Sequence, residues 1–365
     1  MVTAGRGAST ISTVIEPALV AGLDDGTSTV AELHPQLAGR GLYRIGVAHE
    51  LGGDGAPFIH AVRMMAGLAS ESLAVGFAAW CQRSCIHYIV ESQGCLAGRE
   101  LLPRLLDGSL AGATGLSNAM KHLAGFEPLR TTAALQGDEV HLEGSLPWIS
   151  NLQPGRFVVA IVGSNGEHCT VVLVPSTAAG VLRRPDLPLC GLLGTATAPL
   201  ELRAVTLDRR WVLSEDGRGF LAAVRPGFLL LQCGLALGLA ERAHAELEAA
   251  NPISKRVLAD RTAALSRLLR RSWTRIAELC EGAGSGGPRQ LRRLVQLRID
   301  LVRLAGDAVR LEVEAMGGSG FMSHSGTARR VREAAFLPAL TPTVVQLKDQ
   351  LCATRPQAGK VAGRP

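Results

Sequence analysis

Pro147-Trp148-Ile149-Ser150-Asn151 stands between two runs of strand character. Glu139-Val140-His141-Leu142-Glu143-Gly144 precedes it and Arg156-Phe157-Val158-Val159-Ala160-Ile161-Val162 follows it. A large aromatic ring, a β-branched residue, a hydroxyl and an amide therefore fall at a strand end, beside glycine and proline. Such a group suits a flat ligand, with the ligand's ring on the indole and the hydroxyl reaching a ring nitrogen. A tryptophan at a strand end is more often a core residue than a ligand platform, so the stretch by itself favours the core.

Around this stretch, from residue 111 to about 213, the apolar period is two. Thr131-Thr132-Ala133-Ala134-Leu135 and Glu139-Val140-His141-Leu142 flank Gln136-Gly137-Asp138, a hairpin signal. The runs 157–162 and 169–174 flank Gly163-Ser164-Asn165-Gly166, in which Asn-Gly marks a turn. Residues 200–207 read as one more strand. The expectation is a small β-barrel or sandwich.

On either side the period is helical. Before the strands, Thr27-Ser28 can cap a helix carrying Val30, Leu33 and Leu37, with Pro35 inside it. A glycine-rich loop over 39–57 follows. Helices are then expected over 58–69 and 72–93, and from near Arg99 to Gly108. After the strands, the uncharged apolar run 226–240 is too short for a membrane span and reads as a buried helix. Leu265, Leu268, Leu269, Ile276 and Leu279 make one stripe. Leu294, Leu297, Leu301, Leu304, Ala308 and Leu311 make another, ending at Met316-Gly317-Gly318-Ser319-Gly320. A closing helix over 343–351 would complete a four-helix bundle. The division is then 1–110 all-α, 111–213 β-barrel, 214–353 bundle and a disordered tail over 354–365.

Composition fits a folded, globular chain. Of 365 residues, 47% are hydrophobic and 19% charged, which excludes disorder. Aromatics are only 4%, so the cores rest on Leu, Val and Ala. The net charge of +6 comes largely from arginines between Arg256 and Arg310. They alternate with leucines at helical spacing and lack interleaved aromatics, which favours a solvated helix face over a nucleic-acid surface. The eight cysteines form no Cys-x-x-Cys pair and no zinc ligand set, and several lie in apolar runs, as expected for thiols in a reducing cytoplasm. Glu16 and Pro17 interrupt the only apolar stretch near the N-terminus, so no signal peptide is read there.

Helices, a β-domain and a helical bundle, in that order, resemble the acyl-CoA dehydrogenase superfamily of flavoproteins. Five local matches carry the resemblance. Gly41-Leu42-Tyr43-Arg44-Ile45-Gly46 with Glu50-Leu51-Gly52-Gly53-Asp54-Gly55 looks like the family's glycine loop. Leu102-Pro103-Arg104-Leu105-Leu106-Asp107-Gly108 looks like its segment before the barrel. Pro147-Trp148-Ile149-Ser150-Asn151 looks like its Trp-Ile-Thr/Ser-Asn motif. Gly217-Arg218-Gly219-Phe220 looks like the start of its bundle. Gly317-Gly318-Ser319-Gly320-Phe321, with Arg329 and Arg332 after it, looks like its glycine turn and basic pair. The resemblance implies an α+β fold and a flavin, FAD, held tightly, weakly or supplied in reduced form. It implies Trp148, Ile149 and Ser150 at the flavin, with Ser150 near N5. Ser117 and Thr343 would lie at the same site. Gly317 and Gly318 would let backbone approach the FAD of a neighbouring subunit. An acyl thioester or other small-molecule substrate is implied. So is a homo-oligomer (dimer or tetramer), or a hetero-oligomer with a homologue.

The departures concern chemistry. Ser117-Asn118-Ala119-Met120-Lys121-His122-Leu123-Ala124 lacks the family's Gly-Ser-Asp. Ala249-Ala250-Asn251-Pro252-Ile253-Ser254 lacks the segment that carries an arginine to the FAD pyrophosphate, and Glu314 replaces a glutamine before Gly317. In Ala339-Leu340-Thr341-Pro342-Thr343, Thr341 occupies the place of the usual glutamate base. The alternative position around Phe228 has no carboxylate either. A neutral hydroxyl is too weak a base to take an α-proton. His122 and His324, expected in loops facing the flavin, are the remaining catalytic candidates. Three readings stay open: an oxidoreductase of this type with atypical chemistry, a reduced-flavin-dependent monooxygenase, and a weakly active or inactive partner subunit.

Overall fold

The computed structural model describes residues 15–92, 94–166, 168–281 and 287–353; the expected tail over 354–365 lies outside the described residues. Among the described residues five α-helices come first: α1 (Pro17–Asp25), α2 (Val30–Gly39), α3 (Phe58–Glu71), α4 (Leu73–Glu91) and α5 (Leu96–Leu106). Thr29, one residue beyond the expected cap, starts α2 through a reciprocal capping box with Glu32. The α5 helix begins earlier than Arg99, because Cys95 Sγ accepts the Gly98 N–H at 3.3 Å. Within the glycine loop, 3-10 turns form over Leu42–Arg44 and His49–Leu51. Gly53 is required there, since a Cβ at that position would lie 2.0 Å from the Val47 carbonyl oxygen.

The middle segment holds β1 (Ala111–Thr114), α6 (Ser117–Leu123), β2 (Thr131–Gln136), β3 (Glu139–Ile149), β4 (Phe157–Asn165), β5 (His168–Pro175), β6 (Val181–Arg183), β7 (Ala198–Asp208) and β8 (Val212–Ser214). Their order in one sheet is β6-β7-β3-β2-β4-β5-β8, with β1 parallel to β4. The short β1, β6, β8 and α6 go beyond the expected strands, being too brief to show a period. The apolar runs in β4 and β5 have a clear cause: both faces are covered. Val158, Ala160, Val162, Val171 and Leu173 join the core shared with the helices. Phe157, Val159, Ile161, Val172 and Val174 join a second core inside the sheet.

The last segment holds α7 (Gly217–Ala249), α8 (Pro252–Glu281), α9 (Pro288–Gly320), α10 (Gly326–Phe336) and α11 (Val344–Ala353). The run 226–240 is the centre of α7, which continues through Pro226. By length and composition α7 could cross a membrane, but 72% of its apolar window is buried in the fold. Gly234 and Gly238 let it lie close on α3; a Cβ at Gly238 would meet the Ala66 carbonyl oxygen at 2.0 Å. The expected single closing helix is corrected: α10, capped by Ser325 Oγ accepting the Ala328 N–H at 3.0 Å, precedes α11. Asn251 caps α8 by accepting the Ser254 N–H at 2.9 Å, so α7 passes to α8 in a tight turn.

Candidate active-site cavity

The sheet register explains why Trp148 is turned outward. Leu146 pairs with Leu200 and Ile149 with Ala198, so β3 carries one extra residue between these pairs. That β-bulge falls on Pro147-Trp148, where a missing N–H costs no ladder bond. Ile149 is 1% exposed and packs inside the sheet. Trp148 is 57% exposed and lies on the wall of a cavity. Of the motif's side chains, Trp148 and Ser150 line this cavity; that of Ile149, expected at the ligand, does not.

Asn151 anchors the motif from behind. It is fully buried, at φ 67°, a left-handed conformation that asparagine tolerates better than most residues. Its Oδ1 accepts from His34 Nε2 at 2.6 Å, and its Nδ2 donates to the Gly112 carbonyl at 2.8 Å and to Gln82 Oε1 at 3.2 Å. Because Oδ1 can only accept, His34 carries its proton on Nε2. The Tyr43 hydroxyl then donates to His34 Nδ1, at 2.5 Å. Gln82 closes the network by donating to the Leu105 and Leu110 carbonyls. The strand end is thereby tied to α2, α4 and β1 with each partner satisfied.

Burial lowers the His34 pKa from 6.5 to about 4, against the raising effect of the Asn151 hydrogen bond. The unfolded chain binds that proton near pH 6.5 and the folded chain does not. His34 thus contributes stability above about pH 6.5 that is lost as pH falls toward 4. His87, lowered to about 3 by burial and by Arg83, acts in the same direction. Glu333, raised by burial, acts in the opposite one. Urea unfolding of wild type and His34→Gln between pH 6.5 and 4.5 isolates the His34 part. The variant's stability is expected to fall less steeply, by about 1.4 kcal/mol per pH unit.

The cavity has a volume of about 470 Å³, within the range of small-molecule sites. Its walls come from α4, α6, the end of β3, the 189–197 connection, α7 and α10 through Thr343. One end is aromatic. Phe77 stacks on Trp80 at 5.6 Å, Phe336 meets Phe77 edge-on at 4.8 Å, and Phe228 meets Trp80 edge-on at 4.9 Å. The opposite walls carry hydroxyls. Ser117 Oγ lies 2.9 Å from Thr341 Oγ1, so these two residues, far apart in sequence, share one wall. Gln232 Nε2 donates to the Thr341 carbonyl at 2.8 Å, and fully buried Arg298 donates from Nε to Gln232 Oε1 at 3.0 Å. Burial pushes the Arg298 pKa down to about 10. Thr343 also lines the cavity and caps α11, accepting from the Gln346 N–H at 3.3 Å.

Among the described residues the lining holds no aspartate, glutamate or histidine; its charged side chains are Lys121 and Arg332. Lys121 Nζ lies 3.5 Å from Glu127, and Arg332 pairs with Asp24. The cavity thiol Cys81 is held well above the ordinary thiol range by burial.

The histidine candidates lie elsewhere. His122 is on helix α6, not in a loop, and lines a separate small crevice with Leu129, Val162 and Leu221; its Nδ1 is 3.3 Å from the Glu127 carbonyl. Helical spacing puts Ser117, Met120 and Lys121 on the cavity face of α6 and turns His122 away. His324 is exposed in the turn between α9 and α10, off the cavity lining. Gly317 and Gly318 are also exposed and off the lining. Gly317 kinks α9 at φ 58°, and nothing lies within 4 Å of a Cβ at either position. Glu314 beside them is paired with Arg261, which holds its carboxyl below the usual range.

Sequence reading passed over Thr195, Thr197 and Leu192, which line the cavity in a connection without motif or period. The available signal was Thr195-Ala196-Thr197, two hydroxyls one residue apart; the left-handed Ala196 between them, which brings them together, has no sequence signature.

No protein-family model matches the chain. Solved structures resemble it along nearly its whole length. Glutaryl-CoA dehydrogenase from Mycobacterium smegmatis, in complex with FADH2, is 19% identical, with a TM-score of 0.82 over 94% of this chain and 90% of that one. Butyryl-CoA dehydrogenase from Megasphaera elsdenii is 19% identical, with a TM-score of 0.79 over 96% and 99%. FkbI, for biosynthesis of the methoxymalonyl extender unit of the polyketide Fk520, is 19% identical, with a TM-score of 0.74 over 92% and 95%. The chain has the acyl-CoA dehydrogenase fold.

Proposed function

We propose that the chain is a flavin-dependent oxidoreductase. FAD would sit with its ring system against Trp148 and Ser150, and an acyl thioester or related small molecule would occupy the rest of the cavity. Structural neighbours include a glutaryl-CoA dehydrogenase in complex with FADH2. The lining suits the ring end of FAD: an exposed indole, with the Ser117, Ser150 and Thr343 hydroxyl groups around an otherwise apolar space. Bound there, FAD supplies two-electron redox chemistry. The chain's part is to orient it, exclude water and hold hydroxyls at its edge.

The carrying observation is a lining without carboxylate or imidazole among the described residues. Desaturation of an acyl thioester needs a base for the α-proton, and Thr341 cannot serve. The chemistry is therefore proposed to be atypical, requiring no internal carboxylate. Hydroxylation with reduced flavin and oxygen is the second reading, favoured by the hydrogen-bond polarity at Ser150 described below. One neighbour, FkbI, serves a biosynthesis, so the fold is not confined to degradation.

Purified protein titrated with FAD, oxidised and reduced, is expected to show a bound-flavin absorbance band, and Trp148→Ala to weaken binding by about tenfold or more. A wild-type protein that binds neither form overturns the flavin reading in favour of an inactive partner subunit. Flavin bleaching by an acyl-CoA without oxygen would overturn the atypical chemistry.

Exposed Phe321 and Met322 beside Gly317 and Gly318 support the proposal that this turn faces a second copy, which size-exclusion chromatography of Phe321→Ser tests. The eight free cysteines support a reducing, cytoplasmic setting.

A further inference from the structure

The Ser150 hydroxyl belongs to a chain of hydrogen bonds whose direction can be worked out by counting protons. Thr195 is fully buried, and its Oγ1 lies 2.7 Å from the Leu192 carbonyl oxygen. A carbonyl has no proton to give, so the single Thr195 hydroxyl proton points at Leu192. Thr195 Oγ1 and Thr197 Oγ1 are 2.9 Å apart, and in that contact Thr197 must donate. Thr197 Oγ1 and Ser150 Oγ are 2.7 Å apart, and with the Thr197 proton committed, Ser150 must donate. Ser150 thus faces the cavity with lone pairs only. Successive hydroxyls polarise one another, which reinforces this polarity.

Strain in the backbone supports the same reading. Leu192 and Ala196, on either side of Thr195, are both left-handed at φ 58° and 49°, a conformation that is unfavourable for residues with a Cβ. The segment is clamped to the motif, since the Asn151 and Leu152 N–H groups donate to the Thr195 and Ala196 carbonyls at 2.8 and 3.1 Å. Strain held this firmly beside a cavity points to a function for the geometry it produces.

We propose that Thr195 and Thr197 are positioning residues that fix Ser150 as a hydrogen-bond acceptor, so that the cavity selects reduced over oxidised flavin. The proposal rests on the flavin reading above, with N5 at Ser150. Oxidised flavin presents a bare lone pair at N5, which would face the lone pairs of Ser150. Reduced flavin presents an N–H there. The electrostatics agree: reduced flavin is readily anionic, and the charged side chains on the lining, Lys121 and Arg332, are cations whose partners Glu127 and Asp24 lie outside it.

The test is anaerobic titration of wild type, Thr197→Val and Thr197→Ser with oxidised and with reduced FAD. Wild type is expected to bind the reduced form at least tenfold more tightly. Thr197→Val frees the Ser150 proton to serve the oxidised form. The reduced-over-oxidised ratio should then fall about tenfold, equal to a downward shift of about 30 mV in the two-electron midpoint potential. Thr197→Ser keeps the relay and should keep the ratio. Thr195→Val breaks the relay one step earlier and should move the ratio the same way, which covers a Thr197→Val variant that fails to fold. Wild type binding both forms equally, or an unchanged ratio in both valine variants, overturns the relay while leaving the flavin reading intact. Failure of wild type to bind either form overturns both.

Discussion

Thr341→Glu is expected to give this protein an acyl-CoA-dependent bleaching of bound flavin that wild type lacks, at least a hundredfold faster than the wild-type background. Three observations set the size. The lining holds no carboxylate among the described residues, so the wild-type background is low. Thr341 lies on the same wall as Ser117, with Oγ1 2.9 Å from Ser117 Oγ, so a longer side chain has hydroxyl company and about 470 Å³ of space before it. A carboxylate placed among Phe228, Phe336 and Leu340 is also desolvated, which raises its pKa toward the value best suited to a base at neutral pH. A positioned general base contributes about 10²–10⁴ in rate. Stopped-flow absorbance under nitrogen, with acyl-CoAs of several chain lengths, gives the readout. If the variant binds FAD and none of the thioesters bleaches it, the cavity was not shaped for an acyl thioester, and that substrate class is lost.

The largest expected effect on stability is at Asn151. Asn151→Ala removes an acceptor from His34 and two donations, to Gly112 and Gln82, in a region with no access to water. It also leaves alanine at φ 67°. Unsatisfied buried groups cost about 1–3 kcal/mol each and the left-handed backbone adds to this, so a loss of about 4 kcal/mol is expected. Asn151→Asp is a sharper probe. It keeps the acceptor for His34 but turns a carboxylate toward the Gln82 and Gly112 oxygens. It should be at least as destabilising near neutral pH and should recover as the pH is lowered and the carboxyl takes up a proton. Urea denaturation at pH 7 and pH 5 measures both. A variant as stable as wild type would mean that the network is not what holds the strand end.

Asn151 also shows what a sequence can and cannot disclose. The motif was legible as a motif, with Trp148, Ile149 and Ser150 expected together at the ligand and no role given to Asn151. The bulge at Pro147-Trp148 separates them into Trp148 and Ser150 toward the cavity, Ile149 toward the sheet core and Asn151 toward α2 and α4. Long periodic elements such as α9 were visible because helical burial repeats along them. Thr195 and Thr197 were not, because their partners are a carbonyl at Leu192 and a hydroxyl at Ser150 in another strand. The histidines failed for a related reason. His122 has the chemistry of a proton donor and sits next to Lys121, but one step along a helix turns the side chain by about 100°, from the cavity face to the far side. Ser117 and Thr341 were each identified separately, yet their adjacency depends on α6 and the α10–α11 connection meeting in space.

The two-sided burial of β4 and β5 limits how this molecule could be engineered. Residue boundaries at 111 and 213 suggest a β-module that could be excised or transplanted onto another helical scaffold. Yet Val158, Ala160 and Leu173 belong to the same apolar core as Leu23, Phe228 and Leu301. A graft would carry a bare hydrophobic face, prone to self-association. Exchanges among proteins of this shape should therefore follow the facing surfaces of sheet and helices together, not the chain's linear divisions.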